Sequence, residues 1–282
     1  MPGPVDRLQR LIVTRPAAEA AGWVDALLAQ GWPAQALPLI RIAEPQDSRT
    51  AQALHHVRAH WPDMDALMFV SGAAVSHFFA HDVAPIPPGG TQTRFWAPGP
   101  GTARLLAQSL ARLGLPADRV DSPPADAPQF DSESLWPVVA PQLRAGRRIT
   151  VVRGASLDPL DPPSAAATGN GRDWLIRQCE AAGAQVQACV AYERHPPAWT
   201  ADERTLARQG RAAGSVWLFS SSEALDHLLS AHPEGDWSQA SALVTHPRIA
   251  TRARAAGFGQ VTECRPALPD VVRALESGWT RP

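Results

Sequence analysis

The sequence predicts an α/β protein with parallel sheets, divided into two related domains. Three observations carry this. Short apolar runs alternate with amphipathic helical stretches along most of the chain, the pattern of βα units whose strands run parallel. A βα pattern in the first half echoes in the second, as internally repeated domains do. The length of 282 residues suits two domains, and an apolar content of 45% is enough to build a core in each.

Taken in order, "RLIVTRP" (10–16) reads as a buried strand running into a proline at a helix start. "AAEAAGWVDALLAQG" (17–31) has helical periodicity and stops on Gly31. "PAQALPLIRIAEP" (33–45) holds one or two strands. "DALMFVS" with "GAAVSHFFA", then "TRFWAPGP" with "GTARLLAQSLARLG", are two strand–helix pairs. "RRITVVRG" is a strand, "GRDWLIRQCEAAG" a helix and "AQVQACVAYERHP" a strand. "GSVWLFS" with "SSEALDHLLS", and "ASALVTH" with "PRIATRARAAG", are strand–helix pairs again, and "DVVRALES" is a last helix. Proline- and glycine-rich loops fall at "APIPPGGTQT", "DSPPADAPQFD" and "GASLDPLDPPSAAATGNG"; the last is long for a connection inside a compact domain.

The echo aligns "LMFVSGAAVSHFF" with "WLFSSSEALDHLL", placing Phe69 on Phe219, Ser71 on Ser221 and Ala74 on Ala224. Downstream, "WAPGPGTARLLA" lies over "LVTHPRIATRAR", with Pro100 on Pro247 and Thr102 on Ile249. Similar βα units produce such matches on their own, but two in the same order at similar separation indicate two related domains.

A formal charge of −1 gives no global field to draw in nucleic acid or an acidic membrane surface. An acidic ligand therefore needs local help from arginines or helix N-termini. Cys179, Cys189 and Cys264 form neither a CxxC pair nor an even-numbered framework, which suits a reducing cytoplasm. The first residues carry no apolar core of a signal peptide, and no apolar run approaches a membrane span.

Candidate site residues lie where strands hand over to helices. Gly99 and Gly101 in "APGPGTAR" let backbone N–H groups approach an anion at a helix start, although an ordinary tight turn has the same look. Arg104 stands where a dinucleotide fingerprint needs its third glycine. Thr14 and Arg15 end the first strand, the edge where open α/β sheets bind ligands, or serve as a cap and a solvated cation. His56 and His60 have metal-compatible spacing with no third ligand in register, so a solvated helix face explains them. Ser71 in "VSGAAV" lacks the preceding glycine of a nucleophile elbow and caps the next helix; "SSSEA" is a similar cap cluster. Arg172 opens a helix against the helix dipole, a small penalty that hints at an acidic partner. Tyr192, the only tyrosine, ends an apolar strand and is either packing or chemistry.

In family order, "VTRP", "PLIRI", "DALMFVSGAAVSHF", "APGPGTARLLA", "DSESL", "VVRG", "GRDWL", "VAYERHPP", "LFSSSEALDHLL" and "HPRIATRARAAGF" span nearly the whole chain, and together they resemble the uroporphyrinogen-III synthase family. The resemblance implies two Rossmann- or flavodoxin-like domains joined by a two-stranded linker, with a cleft between them. Residues 1–39 with 195–282 would form a discontinuous domain and 40–194 a continuous one. The linkers would lie near 38–43 and 190–196, with Tyr192 at the cleft mouth. It implies a lyase that closes hydroxymethylbilane to uroporphyrinogen III with loss of water and inversion of ring D. No cofactor or metal is implied. The partner is a linear tetrapyrrole with eight carboxylates, not nucleic acid or membrane; the protein would be a cytoplasmic monomer, touching the preceding enzyme of its pathway at most transiently. Tyr192 matches the family's cleft tyrosine, the candidate acid. Thr14, Arg15, Ser71, Gly72, Gly99, Gly101, Thr102, Arg153, Arg172, Ser221, Ser222 and Pro247 become candidate substrate-binding residues. The sequence departs from the family at Ile249, where a Thr or Ser is usual, and in "VSGAAV" for "TSxNAV". It also departs at the long loop before Arg172, expected to be mobile near the cleft. An inactive paralogue, or a two-domain binding protein for an acidic small molecule, shares the architecture.

Overall fold

The computed structural model describes residues 7–81, 83–124, 126–127, 129–156 and 170–281, with the side chains of 170–173 also left out of the description. In chain order the elements are β1 (Arg10–Val13), α1 (Ala17–Leu28), β2 (Ala34–Ala36), β3 (Arg41–Ala43), α2 (Ser48–His60), β4 (Ala66–Phe69), α3 (Gly72–Phe78), β5 (Arg94–Trp96), α4 (Pro100–Arg112), β6 (Val120–Asp121) and α5 (Ser132–Val139). There follow β7 (Arg148–Ser156), α6 (Asn170–Ala181), β8 (Gln185–His195), α7 (Ala201–Gln209), β9 (Ser215–Phe219), α8 (Ser222–Ala231), β10 (Ser241–Val244), α9 (Pro247–Ala255), β11 (Gln260–Glu263) and α10 (Leu268–Gly278). Of the 154–171 loop expected to be mobile, residues 154–156 belong to β7 and 170–171 to α6, and 157–169 lie outside the described residues.

The chain forms two compact units, residues 1–41 with 195–282, and residues 42–194. The first holds a sheet in the order β11-β10-β9-β1-β2, parallel throughout. The N-terminal strand β1 sits inside this sheet, bonded to β9 on one side and β2 on the other. The second unit carries the order β3-β8-β7-β4-β5-β6, with β8, β7, β4, β5 and β6 mutually parallel.

Strands covered by helices on both faces should be apolar at every position, and β4 ("ALMF") is buried at all four. Its residues divide by the two-residue period of a strand. Leu67 and Phe69 join Phe95, Val152, Leu106 of α4 and Val75 of α3 on one face. Ala66 and Met68 join Trp96, Ile149, Leu135 of α5 and Leu175 of α6 on the other. In the first unit, Leu11, Val13, Val216 and Leu218 meet Leu27 of α1 and Leu275 of α10. The opposite face is aromatic: Trp217 stacks on Phe219 and meets Trp237 edge-on, and Trp237 stacks on Phe258.

Helix starts are fixed by side chains. Asp47, Ser71, Asp131, Thr200 and Ser221 each accept a backbone N–H from the first turn of the helix that follows, and Thr200 with Glu203 completes a reciprocal capping box. Four elements go beyond the sequence reading: β6 and β11, α5 with Pro137 inside it, and α7. β6 is two residues long and β11 only half-buried, so neither shows an apolar run.

Burial pushes the Cys189 thiol up to about 12 and that of Cys179 up to about 11. Thiolate is the reactive form, so both should be inert in the folded chain. Iodoacetamide at pH 8 followed by mass spectrometry should leave them unmodified in native protein and alkylate them in urea; rapid native labelling of Cys189 would contradict this packing.

Candidate functional site

In a parallel sheet every strand delivers its following loop to the same edge. In the first unit that edge gathers Thr14 and Arg15 after β1, Ser221 and Ser222 after β9, and Pro247 after β10. In the second it gathers Ser71 and Gly72 after β4, Gly99, Gly101 and Thr102 after β5, Arg153 near the end of β7, and Tyr192 in β8. Arg172 lies in the first turn of α6, and its side chain is outside the described residues.

Several of these groups are already engaged. Thr14 is buried, and its hydroxyl donates to the Leu218 carbonyl of β9 at 2.7 Å. Arg15 pairs with Glu19 at 3.0 Å, lies 4.1 Å over the Trp23 ring and reaches the Pro266 carbonyl at 3.5 Å. Ser71 accepts from Ala74 N at 3.2 Å and Ser221 from Ala224 N at 3.5 Å, so the two residues aligned by the internal echo are equivalent caps. The echo also holds at the next helices, since Pro100 and Pro247 each open one. Sequence reasoning missed the cap of α9: His246 Nδ1 accepts from Arg248 N at 3.0 Å. An accepting Nδ1 places the ring proton on Nε2.

Other polar atoms lack partners. Arg15 Nε, Arg153 Nε and Ser222 Oγ are buried without a hydrogen bond among the described residues. Such groups call for an explanation, because an unpaired buried donor costs about 1–3 kcal/mol. The first turns of α4 and α9 contain no acidic residue, whereas α8 has Glu223 in its first turn. Of the long helices at these edges, α4 and α9 are therefore the better anion sites. Among the described residues no atom beyond its own helix lies within 4 Å of where a Cβ on Gly101 would stand, whereas a Cβ on Gly99 would press on Phe130 at 3.3 Å.

Tyr192 is 3% exposed and its ring belongs to the core cluster of its own unit. Its hydroxyl lies 3.2 Å from Ser71 Oγ, and its ring centroid is 5.7 Å from that of His77. Burial holds the His77 imidazole below its usual range, opposed by Glu44 and assisted by Arg58 and His81. The rings of His56 and His60 lie 4.3 Å apart, tilted by 31°, and no group of three or more metal-ligating side chains occurs among the described residues. No helix is long and apolar enough to cross a membrane among the same residues.

A sequence model of the family described as Uroporphyrinogen-III synthase HemD matches residues 22–272. Among solved structures, uroporphyrinogen-III synthetase from Helicobacter pylori 26695 is similar at 12% identity and a TM-score of 0.52, over 96% of this chain and 99% of that one. A mutant uroporphyrinogen III synthase from the extremely thermophilic bacterium Thermus thermophilus is similar at 15% identity and a TM-score of 0.50, over 95% and 99%. At such identities these two likenesses show the α/β fold. A comparison with curated protein sequences finds no match.

The caps predict an order of stability effects. Asp131 accepts from Ser134 N at 2.8 Å, a shorter bond than that of Ser221. Asp131→Ala should cost about 1 kcal/mol and Ser221→Ala less, read as shifts of the urea midpoint. The reverse order would show that bond length is not what sets cap strength here.

Proposed function

Because the chain belongs to the uroporphyrinogen-III synthase family, we propose that it is a cyclising lyase of tetrapyrrole biosynthesis, with Tyr192 as proton donor and the carboxyl edges of its sheets as carboxylate sites. The observation that carries the residue assignment is the placement of the chain's only tyrosine. Its hydroxyl is held beside Ser71 on the edge where α/β sheets bind ligands.

The substrate is hydroxymethylbilane, an open chain of four pyrroles bearing eight carboxylates. Its terminal C–O bond breaks with the electron pair going to oxygen. The Tyr192 proton joins that oxygen, which leaves as water, and the pyrrole nitrogen lone pair supplies electron density to the carbon left behind. The substituted α-carbon of ring D attacks that carbon to give a spirocyclic pyrrolenine. Fragmentation and reclosure through the other α-carbon invert the ring. The proton lost from that carbon on rearomatisation restores Tyr192. Atoms balance as substrate to macrocycle plus water, with no redox change, so no cofactor is required. Most of the enzyme's task is to hold a reactive chain in one conformation.

The anchors for that task are the groups left without partners. Arg153 makes no ion pair among the described residues and follows the apolar run of β7 at the ligand edge. A carboxylate there would satisfy its buried Nε. Gly101 and Thr102 offer first-turn N–H groups of α4, and Pro247 opens the equivalent turn of α9. Thr14 contributes through the fold, its proton being engaged within the sheet. Three free thiols and no disulfide partner among them fit a cytoplasmic setting. An inactive paralogue is the second reading, favoured by Ile249, which is 3% exposed and brings no hydroxyl to the first turn of α9.

Purified protein given hydroxymethylbilane should release the type III isomer; type I product alone, at the spontaneous rate, would establish the second reading. Tyr192→Phe should slow turnover about tenfold or more, in keeping with a general-acid contribution. An unchanged rate would reduce the tyrosine to packing. Arg153→Ala should raise KM more than it lowers kcat, since it removes binding shared by ground and transition states.

A further inference from the structure

The strand that carries Tyr192 departs from regular pairing just before it. From Arg148↔Gln185 to Arg153↔Val190 the register of β7 against β8 is constant, and then Gly154 pairs with Tyr192, so that β8 holds one extra residue, Ala191. Such a bulge re-aims the side chains that follow it. Strict alternation would send Ala191 and Tyr192 to opposite faces of the sheet. Here Cys189, Ala191 and Tyr192 all join the same core cluster. The bulge therefore turns the tyrosine onto the face that carries Val75 and Phe78 of α3.

On that face its ring lies over Gly154. A Cβ added to Gly154 would penetrate the ring at Cε2 and Cζ and stand 2.9 Å from the hydroxyl oxygen. The ring occupies space that exists because residue 154 has no side chain. At its far end the hydroxyl meets Ser71 Oγ at 3.2 Å, and that oxygen is itself held by the Ala74 N–H. A serine hydroxyl has one proton and two lone pairs. With one lone pair engaged by Ala74, Ser71 retains its proton to donate.

We propose that Ser71 and Gly154 are positioning residues for Tyr192: Gly154 admits the ring and Ser71 donates a hydrogen bond to the tyrosine oxygen. This rests on the reading of Tyr192 as proton donor. A donated hydrogen bond leaves the tyrosine's own proton directed away from Ser71, available to the departing hydroxyl, and stabilises the phenolate formed when that proton is transferred. Ser71 keeps its proton throughout, and the returning proton restores the Tyr192 hydroxyl. Ser71 thus acts through Tyr192 rather than by holding a substrate carboxylate. Its echo, Ser221, keeps the cap without any tyrosine to hold, because the chain has only one.

That single tyrosine makes the test specific, since protein labelled with 13C at tyrosine Cζ gives one resonance. Ser71→Ala should move that resonance and lower kcat about tenfold with little change in KM, while Ser71→Thr, which keeps hydroxyl and cap, should stay within about threefold of the parent. In the Tyr192→Phe background Ser71→Ala should cause no further loss, as for two residues acting through one group. Gly154→Ala should displace the resonance and lower kcat in the same sense. If it does not fold, the Ser71 variants carry the test. Fully multiplicative losses for Ser71→Ala and Tyr192→Phe, or a Tyr192 resonance unmoved by Ser71→Ala, overturn the proposal. Parent-like turnover in Tyr192→Phe would instead overturn the acid role alone, and the resonance would still decide whether Ser71 holds the ring.

Discussion

Everything functional in this protein depends on the parallel sense of its strands. Parallel pairing forces each connection to cross back through a helix, so the strand ends and the helix starts collect at one edge of each sheet. That edge is where the backbone offers unpaired N–H groups, and it needs no net positive charge to favour an anion. A chain with a formal charge of −1 can in this way still offer anion sites. The arginines at the edges refine this rather than create it. Arg15 is drawn into a local pair with Glu19 and a stack on Trp23, while the buried Nε of Arg153 has no hydrogen-bond partner among the described residues.

The repeated βα units show how one local solution is used for two ends. After β4 and after β9 the same serine caps the same turn, and the buried alanine beneath it lets the helix approach the sheet. The units then diverge. In one, the serine has a tyrosine hydroxyl beside it; in the other, the first turn carries Glu223, which disfavours an anion. Equivalent caps therefore sit in unequal chemistry, and the difference comes from what neighbouring strands bring to them.

Much of the fold was legible because burial dictates composition. Apolar β4, and β9 with its run Val216–Phe219, could only be central strands, and Pro16, Pro100 and Pro247 stand at or beside helix starts, where a missing N–H costs nothing. Elements without that signal were not legible. β6 is too short for a pattern, α7 begins on a capping box in a polar stretch, and α5 carries a proline within it. The candidate site residues were legible as positions at strand ends, but not as engaged or free. Nothing local distinguishes Thr14, whose proton serves Leu218, from Ser222, whose oxygen has no partner among the described residues.

By itself the sequence determined the α/β class, the parallel sense, the doubled βα units and the strand-end location of Tyr192. These follow from periodicity and from local turn chemistry, which need only near neighbours along the chain. Tertiary structure decided where the tyrosine points. Its direction depends on a register shift between β7 and β8, on the missing side chain of Gly154, and on a hydroxyl 121 residues away at Ser71. Register is a property of two strands in contact, and no periodicity within either strand encodes the one residue by which they slip.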